Sequence, residues 1–193
     1  PDWIEGPLGA YYLYFADHKG RYIRLAYADD LKGPWRIYAP GSLQIEDSHF
    51  PTEPPEVSSD EAERLRASSQ TSGDGISHDR LFEATTPHIA SPDVHVREDR
   101  REIVMYFHGL EGFRFQRTRV ATSRDGIHFE AREPLLGRSY FRVFRHDGRW
   151  YAMGMPGIFY RSRDGISDFE TSELQLFPST MRHSALLKRG DTL

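Results

Sequence analysis

At 193 residues the chain has room for one sizeable core, and nothing in its length requires two domains. Its 25 basic and 29 acidic residues leave a formal net charge of -4, which argues against a nucleic-acid partner. The absence of cysteine excludes disulfides and thiolate metal sites, and no apolar run approaches the roughly 20 residues of a membrane-spanning helix, so no membrane partner is expected.

The first strand-like run is Tyr11-Tyr12-Leu13-Tyr14-Phe15, followed by a His18-Lys19-Gly20 turn and a second strand at Ile23–Tyr27. A Lys32-Gly33-Pro34 turn comes next, and then the pattern breaks from 39 to 87. That segment holds the Pro-rich Thr52–Glu56, a stretch in which Ser59 or Asp60 caps a short helix through Arg66, and the polar Thr71–Gly75. Apart from the helix it reads as loop.

Strand rhythm resumes with His88–Val96, Ile103–Phe107 and Thr118–Thr122, ending in the turn Ser123-Arg124-Asp125-Gly126-Ile127 with Phe129-Glu130 after it. A third unit repeats the order: Ser139–Phe144, Trp150–Met153 and Ile158–Ser162. It ends in Ser162-Arg163-Asp164-Gly165-Ile166 and Phe169-Glu170. A fourth opens at Met181–Leu186, and Leu193 falls on the first residue of its next strand. Self-similarity at roughly 40–50 residues, with several short strands per unit, predicts an all-β chain of β-propeller blades. Residues 1–193 are expected to form a single partial domain, a fragment of about three to four blades with open sheet edges.

Innermost propeller strands line the central cavity, so their early residues are the candidates for chemistry. On His88–Val96, period-two alternation places Ser91, Asp93 and His95 on one face. A carboxylate there needs a partner or a use, and Arg142 and Arg182 from neighbouring units are the expected partners. The blade topology brings His18, Lys19, His88, His95, His108 and His183 to the same mouth as Asp93 and Arg142. No tight ligand spacing supports a metal there, and no cofactor motif is present. Asp125-Gly126 and Asp164-Gly165 recur at one blade position and read as scaffold. His49, His78, His128 and His146 are assigned no role. The 39–87 insertion lies on the mouth face and is expected to form a wall or lid.

The chain resembles the five-bladed β-propeller glycosidases, the arabinanase/β-xylosidase and invertase/levansucrase superfamily. The resemblance rests on Tyr11–Ala16 with Ile23–Ala28, on Leu31-Lys32-Gly33-Pro34-Trp35, on the Ser-Arg-Asp-Gly-Ile turns and on the strand–Asp147-Gly148–strand. It implies a five-bladed propeller acting on a carbohydrate, with hydrolysis of a glycosidic bond by carboxylates on inner strands. Ser91-Pro92 occupies the family's Asp-Pro position, and Asp93, two residues on, is the candidate catalytic carboxylate. His18, His88, Ser91, His95, His108, Tyr140, Arg142, Arg182 and His183 are the candidate substrate-binding residues. The alternative is a non-catalytic carbohydrate-binding propeller.

Overall fold

The computed structural model describes residues 1–71, 77–175, 177–187 and 189. Aromatic and β-branched runs, broken by turn residues, pair into antiparallel sheets whose neighbours follow one another in sequence. The first sheet holds β1 (Tyr11–Phe15), β2 (Tyr22–Ala28) and β3 (Arg36–Gln44). Helix α1 (Ser59–Ala67), a ribbon of β4 (Gln70–Thr71) with β5 (Ser77–His78), and helix α2 (Arg80–Thr85) come next. The second sheet runs through β6 (Ile89–Arg97), β7 (Glu102–Gly112) and β8 (Phe115–Ser123). Its outer edge is made in two pieces, β9 (Glu130–Ala131) and β10 (Gly137–Arg138), both paired with β8. The third sheet is β11 (Arg142–His146), β12 (Arg149–Gly154), β13 (Ile158–Ser162) and β14 (Glu170–Gln175).

Two apolar cores lie between successive sheets, and β7 supplies both. Ile103, Met105 and Phe107 face the first sheet with Ile23, Ile45 and Ile89. Val104 and Tyr106 face the third sheet with Val143, Ala152 and Tyr160. Strict alternation along one strand therefore builds two seams, as face-to-face blades require.

Each seam carries the same polar joint. The Tyr14 hydroxyl donates to the carbonyl of Gly126 at 2.6 Å, and Tyr106, at the equivalent place one sheet later, donates to the carbonyl of Gly165. The phenylalanine that follows each turn meets the same tyrosine edge-on: Phe129 with Tyr14 at 5.6 Å, Phe169 with Tyr106 at 6.3 Å. Asp125 Oδ1 holds its turn by accepting from the amides of Ile127 and His128, and Asp164 Oδ1 does so from Ile166 and Ser167. Glycine is required at Gly165, where φ is +73° and a Cβ would lie 2.6 Å from the Trp150 ring.

The structure corrects the reading of 39–87 as mostly loop. β3 extends through Gln44, and Ile45 and Phe50 are buried in the first core. The α1 cap is Ser58, whose hydroxyl accepts from the Glu61 amide, so the helix starts at Ser59. Asp79 caps α2 by accepting from the Leu81 and Phe82 amides. The expected inner strand at Met181–Leu186 is also corrected. Those residues form no strand, because no described strand offers them a ladder of hydrogen bonds. Residues 72–76, the last residues 190–193 and the side chain of His78 lie outside the described residues.

Candidate functional site

Five pieces of chain converge on one cavity of about 420 Å³: the β1–β2 turn, α2, the β6–β7 end of the second sheet, and the two segments around Tyr140 and His183. Lys19 is buried, and its Nζ donates to the Glu83 carbonyl at 3.0 Å and pairs with Glu83 Oε2 at 3.3 Å. His18 Nε2 lies 2.7 Å from the other carboxylate oxygen. These contacts fasten α2 to the turn, so the insertion walls the cavity. Burial lowers the Lys19 pKa, opposed by the Glu83 charge and aided by Arg182. For Glu83, burial pushes upward, but the His18 hydrogen bond and the Lys19 charge outweigh it and hold the carboxyl below its usual range. The cavity's second carboxylate, Asp17, is paired with Arg24.

The opposite wall is a row of rings. His88 meets His108 at 5.8 Å between centroids, His108 meets Tyr140 at 4.4 Å, and Tyr140 meets His183 at 4.5 Å. Burial brings His88 down to about 4, and it lowers His108 well below the usual histidine value, with His88 and Lys19 adding to the shift. Both rings are therefore neutral near pH 7, and His108 Nδ1 is buried with no hydrogen-bond partner among the described residues. Three non-glycine residues with positive φ line this cavity: Lys19 at +58°, Ser91 at +55° and Tyr140 at +60°. Backbone strain of this kind persists where surrounding structure enforces it, and it clusters at binding sites.

His18, His88, Ser91, His108, Tyr140, Arg182 and His183 line the cavity together. Asp93, His95 and Arg142 do not. The reason lies in β6, whose register against β7 shifts between Ala90 and Asp93. That bulge, centred on Ser91, corrects the period-two reading that put Ser91, Asp93 and His95 on one face. Asp93 Oδ2 instead accepts from the Val143 amide at 2.8 Å and lies 3.0 Å from His95 Nε2, bracing β6 against β11. The expected pairing of Asp93 with Arg142 or Arg182 is likewise corrected. Arg142 donates to the carbonyls of Phe141, Ser184 and Ser91.

Glu83 and Asp17 are cavity residues that sequence reasoning missed. The Asp79-Arg80-Leu81-Phe82 start of α2 was the available signal for Glu83, a capping residue ahead of apolar positions. Among the described residues no cluster of His, Asp or Glu is arranged to hold a metal, and no helix is long and apolar enough to cross a membrane.

No protein-family model matches the chain. An uncharacterized protein of Acanthamoeba polyphaga mimivirus is 29% identical over 218 residues, covering 100% of this chain and 54% of that protein. The chain thus spans about half the length of that relative. Among solved structures, an α-L-arabinofuranosidase from Clostridium thermocellum superposes with a TM-score of 0.50 at 16% identity, covering 83% of this chain and 46% of that one. A GH43 β-xylosidase/α-arabinofuranosidase from a compost microbial metagenome, in complex with xylotriose, superposes with a TM-score of 0.45 at 14% identity, over 70% of this chain and 32% of that one. At such identities the likeness is one of fold. In fold, the chain resembles part of that α-L-arabinofuranosidase.

Proposed function

We propose that the mouth formed by Lys19, Glu83, His88, His108, Tyr140 and His183 binds a carbohydrate, in a five-bladed propeller of glycoside hydrolase type. The observation that carries this reading is a row of rings, His88, His108, Tyr140 and His183, with His88 and His108 neutral, in a polar cavity that also holds the Lys19–Glu83 ion pair. Such a surface offers donors and acceptors for sugar hydroxyls beside ring faces for the sugar's apolar side. The fold likeness to an arabinofuranosidase supports pentose saccharides as the first ligands to try.

Hydrolysis is the second reading, and it is favoured by the presence of two carboxylates, Asp17 and Glu83, on the cavity. Glycoside hydrolysis needs one carboxyl kept protonated to act as acid. Glu83 is held ionised by Lys19 and His18, so it suits a base or nucleophile and not the acid. Asp93, the carboxylate expected from the sequence, is engaged by the Val143 amide and lies off the cavity.

Calorimetric titration with arabino- and xylo-oligosaccharides, with product analysis on the same samples, tests both readings. Saturable binding without turnover is the expected result. Absence of binding by the folded protein refutes the proposal. Turnover that falls at least about a hundredfold in Glu83→Gln, with binding retained, establishes the second reading.

A further inference from the structure

His88 lines the mouth and is 2% exposed. Its Nδ1 lies 2.8 Å from the carbonyl oxygen of Thr86. A carbonyl oxygen only accepts, so Nδ1 carries a hydrogen, and in the neutral ring Nε2 then presents a bare lone pair. The groups around the ring keep it neutral. Burial is the largest influence; Lys19 and His18 act in the same direction, and the Thr86 carbonyl and Glu83 oppose them. His108, facing His88, is also neutral and adds no charge. Lys19 is paired with Glu83, and Arg182 lines the same cavity as a further cation.

Resting on the carbohydrate reading above, we infer that His88 Nε2 is a fixed hydrogen-bond acceptor in the mouth, and that the saccharide ligand donates a hydroxyl to it. The buried Nδ1 of His108, unpartnered among the described residues, is a second polar atom of the same wall that a hydroxyl or a water can satisfy.

Heteronuclear NMR of the His88 ring nitrogens, followed through titration with xylotriose, tests this. The expected result is a neutral ring with hydrogen on Nδ1 at neutral pH, and an Nε2 signal that moves when xylotriose binds. His88→Phe, with its fold checked by circular dichroism, is expected to weaken xylotriose binding about tenfold or more. If that variant fails to fold, the wild-type spectra decide alone. Xylotriose that binds without moving Nε2, or a ring carrying hydrogen on Nε2, overturns the inference and leaves the carbohydrate reading standing. No saccharide binding by the folded protein overturns both.

Discussion

Replacing Tyr106 with phenylalanine deletes one atom from the seam between the second and third sheets. The ring keeps its volume, its place in the core and its edge contact with Phe169. What disappears is the bond to the Gly165 carbonyl, in a site where Tyr106 is 1% exposed and water cannot replace it. A buried acceptor left without its donor costs about 1–3 kcal/mol, and with packing conserved we expect the lower half, roughly 1–2. In a chain of this size that lowers Tm by about 2–4 °C per kcal/mol. Tyr14→Phe, at the less buried joint to Gly126, should cost less, and the double variant should be near additive because the joints lie in different seams. Urea unfolding measures all three. Burial raises the pKa of both phenols, so their joints stabilise the fold fully below about pH 10 and lose that contribution as pH rises further. In the double variant that alkaline loss should shrink. A cost below about 0.3 kcal/mol for Tyr106→Phe would refute the joint as a determinant of blade packing.

Acid should destabilise the protein in two steps. His88 takes up its proton near 6.5 when unfolded but only at about 4 when folded, so its contribution is complete above 6.5 and is lost as pH falls toward 4; His108 acts in the same sense. The His88 part is on the order of 3 kcal/mol, readable as denaturation midpoints across that window. A second loss, from the depressed Asp125 and Asp164, should begin only below about 4. Glu83→Gln removes the carboxylate that supports the Lys19 charge, so the Lys19 pKa should fall further, as NMR titration would register. The same change should destabilise by roughly 1–2 kcal/mol, moderated by the partial exposure of Glu83. Asp93→Ala should cost about 1–3 kcal/mol by stranding the Val143 amide, while saccharide affinity measured by calorimetry stays unchanged.

The blade plan was legible because it is written locally. Alternation along Ile103–Phe107 and the Asp-Gly turns each carry their own stereochemical reason, and β7 and the two turns form where the pattern places them. Topology sends His18, His88, His108 and His183 to one end, where they line one cavity, but it sends Asp93, His95 and Arg142 there too, and these lie off it. The wiring was not legible. Ser91 adopts a positive φ that its residue type does not announce, and one such residue is enough to put Asp93 on a different errand. Glu83 was hidden because its segment lacks the repeat, and only the contact with Lys19, 64 residues away in sequence, gives it a place. The Tyr106–Gly165 joint was invisible for the same reason, since the two residues belong to different blades.

The bulge at Ser91 also divides the labour of a single strand. Residues before it line the cavity, while Asp93 and His95 after it brace the strand against the neighbouring blade. An irregularity at the boundary absorbs a change of phase. Sequence drift, or even a single insertion, upstream of Pro92 can therefore reshape the cavity without turning the lower half of the strand over. The mouth can evolve at its own pace because the seam does not have to follow it.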